Sequence, residues 1–268
     1  MKAPTLTFGI GVFFGQNLMK KPQQQFTKQT DFYKKYRPSY PEALLTDILA
    51  LTQGRECCWD CGTGNGQVAI VLAKHFRTVE ATDISKNQLA KAVKAPNIRY
   101  SQQRAEATDF EENTFDLITV AQAAHWFDMD AFNQEFKRVA KPQALVALWG
   151  YDLVQVDRNV DALMQRFYSE IVGPFWRPER RHIDQEYRNI RFNFQEITLP
   201  GSYAIEAQWE LETMEGYLNS WSSVQNFKEA RGENPVNPFI TQLKAHWGKG
   251  AIKKVRFPIF TRIGKVSK

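Results

Sequence analysis

The sequence predicts an α/β fold: a doubly wound, mostly parallel sheet with helices on both faces. Three observations carry this expectation. Short apolar runs alternate with helical patterns from Glu56 to Trp149, the order that builds parallel strands joined by crossover helices. A turn with glycine at alternate positions, Gly62, Gly64 and Gly66, separates the first apolar run from the helical pattern of Val68, Ala69, Val71 and Leu72. An acidic residue, Asp83, ends the next strand-like run, about twenty residues further on.

The elements follow in order. Residues 1–28 read as a flexible N-terminal extension. Met19-Lys20-Lys21-Pro22 looks like a natural chain start, which leaves 1–18 outside the fold. The apolar run Leu6–Phe14 is broken by glycines and has no small-x-small cleavage site. Asp31 to Tyr36 forms a short aromatic helix punctuated by Pro38 and Pro41. Pro41 opens a helix through Leu44, Leu45, Ile48 and Leu51, with Gly54 as its stop. After the glycine turn a helix runs to about Phe76, and the second strand ends at Asp83. Ser85 caps a helix through Leu89 and Val93. Ile98–Ser101, Phe115–Val120 and Ala144–Trp149 are the third, fourth and fifth strands. A helix lies at Phe132–Val139, and Lys141-Pro142 turns the chain. Beyond Tyr151 the pattern changes: a helix at 157–172, a break at Gly173–Pro178, strands at Phe192–Leu199 and Tyr203–Leu211, helices at Thr213–Trp221 and Phe239–Trp247, and a last strand at Val255–Ile263.

Composition bounds the rest. At 268 residues, the chain fits one core with a sizeable insertion. Hydrophobic content of 43% and charged content of 24% are those of a globular protein. A net charge of +6 is spread along the chain, so nucleic acid is not expected as a partner. No apolar run reaches membrane-span length, and no membrane partner is expected. The three cysteines, Cys57, Cys58 and Cys61, sit on one strand and its turn. No second pair completes a zinc site, so no metal is expected. A reducing, cytoplasmic setting fits them best. A monomer or homodimer is expected.

The chemistry concentrates at the glycine turn. A dinucleotide fingerprint requires G-x-G-x-x-G, but its last position here is Gln67. The sequence is instead D-x-G-x-G-x-G, headed by Asp60. A carboxylate there would repel a pyrophosphate. It suits a nucleoside cofactor with no phosphates and a cationic amino-acid end, S-adenosylmethionine (SAM), with Asp83 gripping the ribose. Ligands of open α/β sheets bind beyond the carboxyl ends of the strands. Arg104-Ala105-Glu106, Ala121 to Phe127, and Gly150-Tyr151 should converge there with Asp60–Gly66 and Asp83-Ile84. His125 is the best placed histidine, either as a hydrogen-bonded packing residue or as a group that orients or deprotonates an acceptor. Trp126 reads as a pocket wall. Arg37 is either a surface charge or a clamp on a carboxylate. Arg177, Arg180 and Arg181, beside Trp176, are either a solvated face or an attractor for an acidic substrate.

These motifs resemble the class I SAM-dependent methyltransferases over residues 29–268. More narrowly they are similar to the trans-aconitate methyltransferase-like small-molecule group. Tyr36-Arg37-Pro38, Asp60 to Gly66, Asp83-Ile84-Ser85, His125-Trp126-Phe127-Asp128, Trp149-Gly150-Tyr151, Gly173-Pro174-Phe175-Trp176 and Ser220-Trp221-Ser222 carry the likeness. It implies a Rossmann-like, seven-stranded sheet whose last strand is antiparallel, with residues 157–250 as a substrate cap. It implies that Arg37, Asp60, Gly62, Thr63, Gly64, Gly66, Asp83, Ile84, Ala105, Glu106 and Gln122 bind SAM. Ala105 and Glu106 would flank adenine, and Arg104 stands where many relatives carry Asp. Catalysis would involve His125 and Arg37. His125, Trp126, Tyr151, Trp176 and Arg177 would bind a small acidic substrate, methylated on oxygen by in-line transfer. The alternatives are a nucleic-acid or protein methyltransferase, against which stands the absence of N-P-P-[YF] after the fourth strand, and a SAM-binding protein without turnover.

Overall fold

The structure is a computed structural model and describes residues 40–268. The expected N-terminal extension and the motif containing Arg37 therefore lie outside the described residues. Helix α1 (Glu42–Leu51) starts after Pro41, and Leu44, Leu45, Ile48 and Leu49 form its buried face. It ends at Thr52, not at Gly54. The Thr52 hydroxyl folds back onto the carbonyl of Ile48 at 2.9 Å. Gly54 is needed for another reason: a Cβ there would stand 2.1 Å from Oδ1 of Asp116. Asp116 accepts the backbone N–H groups of Glu56 and Cys57 and the ammonium of Lys141. One carboxylate thus fixes the starts of three strands.

The sheet comprises β1 (Cys57–Cys61), β2 (Thr78–Thr82), β3 (Ile98–Ser101), β4 (Phe115–Ala121), β5 (Ala140–Tyr151), β6 (Gln195–Ile197), β7 (Tyr203–Trp209) and β8 (Lys253–Lys265). Their order is β3-β2-β1-β4-β5-β8-β6, and β7 also pairs with β8. Strands β1 to β5 are mutually parallel, and β8 is antiparallel to β5. β6 and β7 pair with successive stretches of β8, so they share one edge position. Seven strands are expected, the last of them antiparallel; the sheet has eight, and its last strand, β8, is antiparallel to β5.

Helices α2 (Ala69–Leu72) and α3 (Lys86–Ala90) follow β1 and β2, and α4 (Met129–Val139) lies between β4 and β5. All three expected boundaries move. α2 is short, although a bond of helical spacing still joins the N–H of Phe76 to the carbonyl of Leu72. α3 stops before Val93. α4 begins earlier than expected because Asp128 accepts the N–H groups of Asp130 and Ala131 as an N-cap. Lys141-Pro142 is not a turn. It lies inside β5, where the register against β4 shifts between Phe115 and Leu117. Such a bulge accommodates a proline that cannot donate to the ladder.

One core cluster packs α1 and α2 on one sheet face, and a second packs α4 on the other. A third cluster is built by the chain after β5. It contains α5 (Arg158–Arg166), which continues as a π-helical turn at Phe167–Ile171, then α7 (Leu211–Asn219), α8 (Ser222–Arg231) and α9 (Val236–Trp247), whereas α6 (Arg181–Asp184), between α5 and α7 in the chain, buries Ile183 in the second cluster. Helix α8 is not expected from the sequence pattern, and only its Ser223 and Val224 are buried. Residues Lys253–Pro258 of β8 extend past the last β5 partner, Ile259, and pair with β7 on one side and through Arg256 with Gln155 on the other. This ribbon carries the third cluster beyond the carboxyl ends of the parallel strands. No described helix is long and apolar enough to cross a membrane.

Candidate functional site

The turn after β1 is left-handed at every second residue: φ is 70° at Gly62, 57° at Gly64 and 82° at Gly66. L side chains avoid that region, so glycine is required. The three glycines face different surroundings. A Cβ on Gly62 would meet Cβ of Ala123 at 2.6 Å, and one on Gly66 would meet the hydroxyl of Tyr100 at 2.2 Å. A Cβ on Gly64 would meet nothing within 4 Å. Two glycines let the turn pack closely, and the third leaves open space above its backbone.

Asp83 closes on this turn from β2. Its Oδ2 accepts the N–H of Gly64 at 2.9 Å and its Oδ1 accepts the N–H of Ser85 at 2.8 Å. A carboxylate has about four acceptor positions. The backbone N–H groups around Asp83 occupy part of that capacity and leave the remainder for a ligand hydroxyl. Burial pushes its pKa up, and the N–H groups of Ser85, Gly64 and Ile84 oppose that shift.

Asp60 is placed differently from expectation. It is 1% exposed and lies beneath the turn. Its Oδ2 accepts from the Thr63 hydroxyl at 2.5 Å and its Oδ1 from the Thr119 hydroxyl at 2.9 Å. Burial raises its pKa to about 6, against the lowering effect of those two hydroxyls and the N–H of Ala69. Asp60 thus holds the turn to β4 and biases the local field negative. Thr119 is not among the expected site residues, although a hydroxyl inside the apolar run of β4 is a signal for it.

The loops after β3, β4 and β5 meet the same edge. Glu106 accepts the N–H of Asp128 at 3.0 Å and pairs with Arg104 at 3.2 Å. Its carboxylate braces the start of α4, and beside it Ala105 is buried. Gln122 has φ of 53° and accepts the N–H of Tyr151 at 2.9 Å, which joins the β4 and β5 loops. Thr63 donates its N–H to the carbonyl of Thr82 at 2.9 Å. Ile84 follows directly on Asp83.

His125 is buried in the short 3-10 turn Ala124–Trp126. Its Nδ1 lies 3.0 Å from the hydroxyl of Tyr187, and its ring lies 4.8 Å from that of Trp126. Tyr187 was not anticipated, since 62 residues separate it from His125. It is fully buried and left-handed at φ 59°. Arg262 of β8 donates to the carbonyls of Tyr187 and Ile190 at 2.9 and 2.7 Å and holds that backbone in place. The turn Pro178–Arg180 packs on the Ala124–Trp126 turn, which brings the Trp176 and Arg177 segment to the edge carrying His125.

The cysteines have structural surroundings. All are free. Burial raises Cys57 to about 11 and holds Cys58 and Cys61 well above the usual thiol range, so their thiolates are suppressed. No group of three or more metal-ligating side chains occurs among the described residues.

A family model described as a methyltransferase domain matches residues 59–148, which span β1 to β5. A Dictyostelium discoideum protein named as a methyltransferase is 34% identical over 254 residues, covering 91% of this chain and 96% of that protein. A Saccharomyces cerevisiae protein named as an S-adenosylmethionine-dependent methyltransferase is 23% identical over 252 residues, covering 79% of this chain and 86% of its own. Among solved structures, one from Anaeromyxobacter dehalogenans described as a type II methyltransferase superposes with a TM-score of 0.80 at 36% identity. It covers 87% of this chain and 99% of that chain.

Proposed function

The chain belongs to the class I SAM-dependent methyltransferases, and from that premise we propose that it methylates an oxygen of a small carboxylic-acid metabolite, forming a methyl ester. The residues present suit the methyl donor. Asp83 retains acceptor capacity for the two ribose hydroxyls, and the open space above Gly64 admits a ligand against the backbone. Gly62, Thr63, Gly64 and Gly66 would line the methionine portion, with Gln122 beneath it. Asp60 would favour the cationic amino-acid end through its field. Ile84, Ala105 and Glu106 would flank the adenine. Arg37 keeps its proposed role as a carboxylate clamp, and it lies outside the described residues.

The observation that carries the acidic-acceptor reading is the packing of the arginine-bearing Pro178–Arg180 turn on the Ala124–Trp126 turn. When bound, SAM supplies an activated methyl on a sulfonium, so that the C–S bond breaks as the C–O bond forms and the electron pair stays on sulfur. A carboxylate acceptor is already ionised at neutral pH and needs no base. His125, held by Tyr187, therefore orients the acceptor, and Trp126 and Trp176 wall it from water. Tyr151 and Arg177 complete the acceptor side. Residues 157–250 act as the cap that selects the acceptor, in the manner of the trans-aconitate methyltransferase-like group.

The test is a mass-spectrometric screen of metabolite extracts and defined acids for products that gain a methyl group when SAM is supplied. Methyl esters of small acids are the expected result. Methylation of RNA or protein with no small-molecule product, or SAM binding with no product at all, would overturn the proposal.

A further inference from the structure

Tyr187 reaches His125 on a backbone that is unfavourable for its side chains. The N–H of Glu186 donates to the carbonyl of Ile183 at 2.8 Å, and the N–H of Tyr187 to the carbonyl of His182 at 2.8 Å. Together these bonds close α6 in the motif that usually takes glycine at its left-handed position. Here that position is Glu186, at φ 51°, and Tyr187 follows it at φ 59°. Two successive side chains in that region persist only where their surroundings impose it, and such stretches gather at functional sites.

Arg262 imposes it. Its Nη1 donates to the carbonyls of Tyr187 and Ile190 at 2.9 and 2.7 Å, while Nε and Nη2 donate to the two carboxylate oxygens of Glu196. Its guanidinium carbon lies 4.7 Å from the ring centre of Phe192, and the side chain is only 13% exposed. A planar fork holds two carbonyls and a carboxylate at once, which an ammonium cannot do. Packing does less here. A cleft of about 410 Å³ is lined by Glu186 and Arg188 together with residues 258–262 of β8, so the stretch stands off the strand on either side of Tyr187. Tyr187 itself crosses to the site. Its ring meets that of Phe260 edge-on at 5.0 Å, and its hydroxyl stands 3.0 Å from Nδ1 of His125.

A neutral imidazole donates from one ring nitrogen and accepts at the other, and the hydrogen bond made at one decides the state of the other. Between these two groups the phenol is the stronger donor and the imidazole nitrogen the stronger acceptor. The favoured pairing therefore runs from the Tyr187 O–H to Nδ1, with the ring proton on Nε2. We propose that Arg262 is a positioning residue for methyl transfer: by pinning the left-handed stretch Glu186-Tyr187 it keeps the Tyr187 hydroxyl on Nδ1, so that His125 offers an Nε2–H to the acceptor and is a hydrogen-bond donor, not a base. The inference rests on the proposed function for the identity of the acceptor and deepens it. His125 then steadies an acceptor oxygen that is already anionic and takes no proton from it.

The full-length chain, with isotope-labelled histidine nitrogens and saturated with S-adenosylhomocysteine (SAH), is read by NMR at about pH 7.5, above the ordinary titration of imidazole. His125→Gln identifies the His125 signals among the four histidines. A protonated Nε2 and an unprotonated Nδ1 are the expected result. Arg262→Gln is expected to mix the two tautomers and to lower kcat on the acceptor found by the screen about fivefold, with SAH affinity unchanged. Glu196→Gln, which leaves the carbonyl bonds of Arg262 in place, is expected to shift neither the ring signals nor kcat. Should Arg262→Gln fail to fold, Arg262→Lys keeps the charge beside Glu196 but not the fork, and is expected to mix the tautomers likewise. A proton on Nδ1 or on both nitrogens in the wild type would overturn the proposal. So would signals unmoved by the Arg262 variants, or an equal shift in Glu196→Gln, which would make the role of Arg262 merely structural. The NMR readout needs no acceptor. Failure to bind SAH or to yield a product therefore strikes the methyl-transfer reading, and a misplaced ring proton strikes this one.

Discussion

Asp60→Asn separates the folding cost of a buried charge from its use. Burial raises the pKa of Asp60 from 3.8 to about 6. The folded chain therefore binds a proton more tightly there than the unfolded chain does. Stability at this residue is undiminished below pH 3.8 and falls as the pH rises through the folded value of about 6. A shift of roughly two units, at about 1.36 kcal/mol each, amounts to about 3 kcal/mol at neutral pH. Asparagine keeps the shape, and the hydroxyls of Thr63 and Thr119 can reorient to pair with an amide. Asp60→Asn should thus be more stable than the wild type by up to about 3 kcal/mol at pH 7, by about half that at pH 5, and by nothing near pH 3.5. Urea unfolding at the three pH values measures this. SAH affinity, read by calorimetry on the same samples, should fall about tenfold as the negative field is lost. A variant that is less stable at pH 7, or a stability difference that does not change with pH, would refute the reasoning.

Other substitutions probe neighbouring links. Asp83→Ala takes away the proposed ribose ligand and should weaken SAH binding at least a hundredfold by calorimetry, with the fold retained. Gly64→Ala, at a φ of 57° with open space around it, should cost about 1–2 kcal/mol of stability but most of the SAH affinity. Gly66→Ala, whose Cβ would strike Tyr100, should lose more stability, and equal losses in the two variants would argue against a ligand above Gly64. Tyr187→Phe removes the hydroxyl that stands at Nδ1 of His125; it should lower kcat about five- to tenfold and leave SAH affinity alone, and unchanged kinetics would return His125 to a packing role.

The sheet was legible because its signals are local. Apolar runs, a glycine at each second turn position and an acid at a strand end are set by backbone geometry and sterics within a few residues. The convergence of Asp83 on the glycine turn followed from strand order alone. The burial of Asp60 was not legible, because the turn that covers it depends on Thr119, 59 residues away. Tyr187 was hidden for the same reason: its approach to His125 depends on Arg262 pinning a left-handed backbone. Lys141-Pro142 read as a turn because proline breaks a regular ladder, whereas β5 absorbs it in a bulge against β4. Helix α8 escaped because the apolar stripe that marks a helix is nearly absent from it.

A crystal structure of the full chain with SAH tests the central claim most directly. The account predicts both ribose hydroxyls within hydrogen-bonding distance of Asp83 and the homocysteine portion laid along Gly62–Gly66. SAH seated at any other edge of the sheet, or a ribose that leaves Asp83 bound only to Gly64 and Ser85, would contradict it.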